Sequence, residues 1–479
     1  GAFNIIGASS KERNYIDEVQ VLVSKSIDDR ITKLEIEHDC EGNRAKAYLY
    51  CLETKCPETG WMIPLSPSWV ISPKLKTIAR LIPNPSSMSF DIEVVNGVSN
   101  QELKEAASGT VQDGSMVYTL DEKTYKTPIK TIRGDYRNVS GKTENKLRKW
   151  GSNDFKPSPT DVFQERLYAI QWITADTIYD SRQSTYFKGV SVEDITRELK
   201  VEALVRNNLE KWQQQGLIPD MPIEAGEKTD EPIRTRGWTY WHHLFNPRQL
   251  LIKAITKEEW LKSEQPQLGM MVVAKMTDFN AKLCRWATSQ GGGLGGPKGV
   301  FSNQALNTFY NYATRSWAGY SSSSFKIASS PINESINHSI VSKSAKDLTN
   351  ICDIWVTDPP YADAVNYHEI TEFFIAWLRK NPPAPFDEWT WDSRRALAIK
   401  GSGDDFRRGM VDAYSAMAKH MPDNGMQCVM FTHQDTSVWS DMVGIFWASG
   451  LQVVGAWYIA TETTSELKKG GYVQGTVIL

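Results

Sequence analysis

The chain has 479 residues, of which 41% are apolar and 23% charged, with 57 acidic against 54 basic side chains. The net charge of −3 excludes a wholly basic coating protein and an acidic disordered tail, and 17 Trp with 18 Tyr argue for packed cores rather than disorder. No window nears the roughly 18 unbroken apolar residues of a membrane helix, and six Cys are too sparse for a disulfide framework.

In chain order, residues 1–75 begin with a helix expected over 11–30, because Ile16, Val19, Val23 and Ile27 recur at helical spacing. A strand is expected over 44–51 and a turn-rich stretch over 51–73, which holds five prolines and glycines at Pro57, Gly60, Pro64, Pro67 and Pro73. His38, Cys40, Cys51 and Cys56 cluster here as candidate zinc ligands, although the second CxxC of a ribbon is absent. Residues 76–160 form a β-rich, basic insert, with alternating runs at 89–95 and 116–120. Between residues 123 and 149 stand nine Lys/Arg and two acidic residues. Lys126, Lys130, Arg133 and Arg137 are therefore candidates for DNA-phosphate contact.

Residues 161–350 read as mainly helical. Ser191 and Asp194 form a capping box before a helix that ends at Gly216, and further helices are expected over 247–263, 268–289 and 303–318, with a loop over 321–330. His242 and His243 read as packed or capping residues. Arg248, just after Pro247 at a helix start, is a candidate for phosphate, and Asn311, Tyr312 and Arg315 share one face of the last helix. From 351 to 479 the pattern becomes strand–helix alternation: strands at 351–357, 427–432, 453–459 and 473–479, helices at 371–379, 406–421 and 437–449. Such alternation predicts a mostly parallel, doubly wound α/β sheet.

The strand at 351–357 runs into Asp358-Pro359-Pro360-Tyr361. A buried strand ending in an acid, two prolines and an aromatic sets rigid acceptors at the carboxyl edge of a sheet, where open α/β sheets bind ligands. The Asp358 carboxylate and the Pro359 carbonyl can take both hydrogens of an exocyclic amino group, Pro360 stiffens the loop, and Tyr361 offers a stacking face worth about 1–3 kcal/mol.

These four residues resemble motif IV of the amino-group DNA methyltransferases. The longer blocks TDPPYADAVNYHE (357–369), FFIAWLR (373–379), DFRRGM (405–410), MFTH (430–433) and TET (461–463) are similar to the zinc-ribbon adenine-specific DNA methylase family found among phage-defence genes. RGWTYWHHLFNPRQ (236–249) and NYATRSW (311–317) are similar to blocks of the same family. The resemblance implies a Rossmann-like methyltransferase sheet in the C-terminal part, a degenerate zinc-ribbon-like region near the start, and a helical insert that includes target recognition. It implies S-adenosylmethionine as cofactor, structural zinc, double-stranded DNA as partner, and a cytoplasmic bacterial setting in a restriction or phage-defence system. The adenine N6 amino group is favoured over cytosine N4, with the base flipped out of the duplex. Tyr367 and Glu369, and also Asp363, then lie where they can orient the base.

The chain departs from that pattern in one place. The glycine-rich cofactor loop of such enzymes is not found, since the cluster at 291–296 has no acid-tipped strand before it. The chain starts with Gly rather than Met. The expectation is a base-binding part whose cofactor half lies upstream or on a second polypeptide. A non-catalytic DNA-recognition subunit and an RNA or protein amino-methyltransferase are the alternatives.

Overall fold

The computed structural model describes residues 10–303, 305–320, 339–341, 343–360, 366–393, 395, 398–399, 403–433, 435–460 and 475–479. They form two units, residues 1–336 with 372–391, and residues 337–371 with 392–479. Each is a mixed α/β structure.

The first unit is built around β1 (Arg44–Lys55). Its side chains alternate between two cores. Ala47, Leu49 and Cys51 pack with Ile71, Phe187 and Trp286, while Tyr48 and Tyr50 pack with Leu167, Trp172 and Tyr312. A strand buried on both faces reads as a continuous apolar run, and β1 does from Ala47 to Leu52. Along one side it pairs antiparallel with β8 (Gln164–Ile173). Along the other it pairs with β10 (Asn311–Arg315) through Ala47–Cys51 and with β2 (Met62–Leu65) through Leu52–Lys55. The sheet continues through β3 (Val70–Ser72), β4 (Thr77–Asn84), β5 (Ser89–Val95) and β9 (Thr185–Gly189) in the order β9-β8-β1-β2-β5-β4-β3. A separate hairpin joins β6 (Ser115–Leu120) to β7 (Lys123–Pro128).

The helices of this unit are α1 (Ser10–Lys33), α2 (Val192–Gln214), α3 (Pro247–Lys262) and α4 (Pro266–Phe279). The Ser191–Asp194 capping box is formed, and Gly216 takes the left-handed conformation (φ 74°) just past the end of α2. Asn246 and Gln249 form a second box ahead of α3, which has Pro247 in its first turn.

The helical reading of 161–350 is corrected by five strands among the described residues, two of them the short pair Trp286–Ala287 and Gly296–Pro297. Residues 164–173 and 185–189 are β8 and β9, and the expected helix over 303–318 is instead the strand β10, so Asn311, Tyr312 and Arg315 do not share a helical face. Short apolar runs do not distinguish period 3.6 from period 2, and here pairing with β1 decides. The expected helix over 268–289 stops at Phe279. Asn280 ends it by accepting from the Arg315 amide (2.9 Å) and donating to the Arg315 carbonyl (3.1 Å), so its amide acts as one more rung beside β10.

In the second unit the sheet order is β11 (Ile354–Thr357), β12 (Met426–Phe431), β14 (Thr476–Ile478), β13 (Trp457–Ile459). β11 and β12 are parallel, and β14 runs antiparallel to both of its neighbours. The short α5 (Tyr367–Ile370) follows β11, α7 (Asp404–Lys419) leads into β12, and α8 (Thr436–Ala448) leaves it. Phe406, Met410 and Tyr414 of α7 and Met442, Ile445 and Phe446 of α8 cover Val429 and Phe431. The connections step in one direction, from β11 to β12 to β13. Right-handed crossovers then put both helices on the same face. Between α5 and α7 the chain crosses to the first unit and contributes α6 (Glu372–Leu378) there. Among the described residues no helix is long and apolar enough to cross a membrane.

Candidate functional site at the carboxyl edge of β11

β11 ends at Thr357, level with Val429 in β12. Asp358 follows it into solvent, and Pro359 and Pro360 are half-buried. Proline fixes φ and offers no N–H, so the turn presents carbonyl acceptors beside the Asp358 carboxylate. Tyr361 and Asp363 lie outside the described residues.

Behind the turn, the Tyr414 hydroxyl of α7 lies 3.3 Å from Thr357 Oγ1. Burial, with the Asp358 charge adding to it, pushes this phenol up to about 12. It is therefore a neutral hydroxyl at physiological pH, able to orient the last residue before Asp358. Nothing local in the sequence marks it: Phe406, Met410, Tyr414 and Met417 read as an ordinary apolar stripe, and they do form the core.

His433 follows β12 at the same edge. Its Nδ1 accepts the Asp435 amide at 3.0 Å and its carbonyl accepts the Trp439 indole N–H at 2.9 Å, so a neutral ring carries its proton on Nε2. Asp435 caps α8 by accepting from Ser437 N (2.8 Å), and that bond lowers its pKa. In α5, Tyr367 is exposed, whereas Glu369 is buried with its Oε1 3.8 Å from His368 Nε2.

The remaining candidates sit in the first unit. Lys126 on β7 and Lys130 are exposed, as is Arg137. Arg133 is held by a two-bond fork to Asp135 (3.0 and 2.6 Å), so its charge is matched locally. The expectation that Arg248 meets phosphate is corrected. Its guanidinium is fully buried, bonds Glu198 and the Ile36 carbonyl (2.9 Å each, with a second contact to Glu198), and lies 4.0 Å from the Tyr48 ring. The partner Glu198 also accepts from Tyr50 (2.6 Å). A parallel arrangement ties Glu165 to Lys282 (2.6 Å) and Tyr312 (2.8 Å), and the Tyr50 and Tyr312 rings stack at 5.0 Å. Both carboxylates border a cleft of about 440 Å³. These partners come from residues far apart in the chain and carry no sequence signal.

His242 and His243 are packed. Burial lowers His242 to about 4 and His243 well below its ordinary value; their Nε2 atoms face the carbonyls of Asp154 (3.0 Å) and Gly151 (2.9 Å).

The four zinc candidates are not brought together. The backbone of His38 bridges to Arg44 at the start of β1, Cys40 is exposed in the intervening turn, Cys51 is buried within β1 and Cys56 lies just past its end. Arg44 to Cys51 spans roughly 23 Å at about 3.3 Å per residue. Among the described residues no group of three or more His, Cys, Asp or Glu could hold a metal ion. Residues 291–296 occupy the tip of a hairpin between Trp286–Ala287 and Gly296–Pro297, with Gly291, Gly292, Gly293 and Gly295 at positive φ. Gly293 O accepts from Lys74 N and Ser72 Oγ, and Gly295 lies so close to Trp286 that a Cβ would be 2.5 Å from its ring. Those contacts fasten the tip to Ser72, Lys74 and Trp286. Comparison of the chain with family models, with curated proteins and with solved structures finds no match.

Proposed function

We propose that the chain is the base-binding part of an S-adenosylmethionine-dependent DNA amino-methyltransferase, acting on adenine N6 in a phage-defence or restriction system. The observation that carries this is Asp358-Pro359-Pro360 at the carboxyl end of a strand that is parallel to its neighbour, with Asp358 an exposed residue. The Rossmann-like character of the second unit, DNA as partner and a cofactor half supplied by another polypeptide segment belong to the same proposal. Structural zinc is left out of it, because the four candidate ligands do not converge.

In this reading the cofactor supplies the methyl group. The chain's own residues do the holding: Asp358 and the Pro359 carbonyl accept the two amino hydrogens, Tyr361 stacks on the base, and the prolines keep the acceptors fixed. Exposed Lys126, Lys130 and Arg137 would bind backbone phosphate. Isotope-labelled S-adenosylmethionine and duplex DNA, with this chain plus a polypeptide carrying a cofactor loop, test the reading. Methyl incorporation should appear and be lost in Asp358→Ala, while non-specific DNA affinity across a salt titration stays nearly unchanged. Incorporation that survives Asp358→Ala refutes it, and DNA binding without any incorporation favours a recognition subunit. Structured RNA as competitor in the same assay distinguishes the nucleic-acid substrate.

A further inference from the structure

We infer that the small hairpin formed by Tyr136–Arg137 and Thr143–Glu144 enters the major groove of duplex DNA tip first, and that Val139 selects a thymine there through its methyl group. That the partner is duplex DNA rests on the function proposed above.

Val139 lies in the loop between the two strands and, at 109% relative exposure, is the most open large apolar side chain among the described residues. Turns are ordinarily built from Gly, Pro, Asn, Asp and Ser, so a valine there gains nothing in the free protein. The tip is nonetheless fixed. Asn138 Oδ1 accepts from Ser140 N (3.1 Å), Ser140 Oγ (2.7 Å) and Lys142 N (3.0 Å). The Asn138 carbonyl accepts from Gly141 N (2.9 Å), and its N–H donates to the Lys142 carbonyl (2.9 Å). Gly141 supplies the left-handed residue (φ 79°) that returns the chain to the second strand. Glu144, the acid of the hairpin, is engaged by its own neighbours, accepting from the Tyr136 hydroxyl (2.8 Å) and Asn138 Nδ2 (2.7 Å). The base is anchored as well: Lys146 N donates to the Arg133 carbonyl (3.0 Å), and Lys149 Nζ to the Ile233 carbonyl (3.0 Å). A side chain presented on so ordered a tip loses little freedom on binding.

Charge and width name the partner. Arg137, Lys142 and Lys146 are exposed on the hairpin and its base, whereas Arg133 is matched by Asp135 (2.6 Å) and Arg148 by Asp154 (2.5 Å) and Asp161 (2.6 Å). Exposed cations around an uncharged tip fit a polyanion whose phosphates lie beside whatever the tip touches. Two strands about 4.8 Å apart make a ribbon that the B-DNA major groove, about 12 Å wide, admits and the minor groove, about 6 Å wide, does not. The major groove of A-form RNA is too deep and narrow for side chains to read. On the floor of the DNA major groove the bases present donors, acceptors and one apolar group, the thymine 5-methyl. The Val139 side chain has no hydrogen-bonding atom, so that methyl is the feature it can select.

The test uses the full 479-residue chain and short duplexes with a randomised core. A duplex enriched by repeated selection is made in two forms, one with thymine and one with uracil, which lacks only the methyl. The parent should bind the thymine form at least about threefold more tightly, the worth of one buried methyl group. Val139→Ser should bind both forms alike, and Val139→Ile should keep the preference. Arg137→Gln and Lys142→Gln should each lower the salt slope of binding by about one unit. Enriched duplexes with no fixed thymine, equal binding of the two forms by the parent, a preference that survives in Val139→Ser, unaltered salt slopes in both charge variants, or tighter binding to structured RNA would overturn the inference. Failure to bind any duplex defeats the proposed function together with it. Selective binding that ignores the methyl defeats the role of the hairpin alone, and methyl-sensitive binding without methyl transfer defeats the proposed activity alone.

Discussion

Lys253 offers the sharpest test of how the first unit is held together. Its ammonium position is fully buried on α3, 3.6 Å from the Phe245 ring centroid and 4.7 Å from that of Trp377, and Nζ has no hydrogen-bond partner among the described residues. Burial drives its pKa well below the ordinary lysine value. The folded state therefore favours the neutral amine more than the unfolded chain does, whose lysine has a pKa of about 10.4. A base with a depressed folded pKa is most favourable above the unfolded pKa, and stability is lost as pH falls below it, at about 1.4 kcal/mol per pH unit, until the folded pKa is reached. Lys253→Met keeps the length of the side chain, puts a thioether against two aromatic rings and removes the unpartnered donor. At pH 7 the variant should be more stable, by about 1–3 kcal/mol for relief of an unsatisfied buried polar group. It should also lose stability less steeply than the parent as pH falls from 10 toward 7. Urea unfolding detected by hydrogen exchange on α3 peptides, at pH 7, 8, 9 and 10, measures both quantities. A variant that is destabilised at pH 7, with the parent's slope intact, would show that Lys253 is charged and held by the rings, and would refute this account.

Two further predictions concern other buried groups. Arg248→Met should cost about 3–5 kcal/mol because it strands Glu198, whereas Arg248→Met combined with Glu198→Leu should cost clearly less; urea unfolding of the three proteins measures the coupling. His242, near 4 folded against an ordinary 6.5, contributes stability that is whole above pH 6.5 and falls by about 3 kcal/mol as pH drops toward 4. His242→Gln, which keeps a donor for the Asp154 carbonyl, should flatten that acid limb, and unchanged curves would place the acid sensitivity elsewhere.

The parts that could be read from the sequence are those whose signal is local. The Ser191 box, α3, α7, α8 and the strand before Asp358 carry caps or long periodic stretches within their own residues, and the structure returns them within a few positions. Residues 164–173 and 311–315 were opaque because their conformation is set by β1, more than a hundred residues away in each case. The same distance hid Arg248's partner: a basic residue at a helix start suggests phosphate until Glu198, 50 positions earlier, is seen to hold it. At the candidate site, Asp358 and the prolines were legible as chemistry. Tyr414 was not, since a core aromatic reveals its hydroxyl's neighbour only in three dimensions.

The excursion that places 372–391 in the first unit has a consequence for biogenesis. Phe245, Lys253 and Lys257 pack against or donate to Trp377 or Phe373, with Lys257 Nζ bonded to the Trp377 carbonyl at 2.5 Å. During translation the earlier residues thus leave the ribosome with the seat for α6 still vacant, and this unit closes only after β11 and the Asp358 turn have been made. Cutting the gene near residue 350 would separate a half lacking its last helix from a half carrying that helix with nothing to pack on.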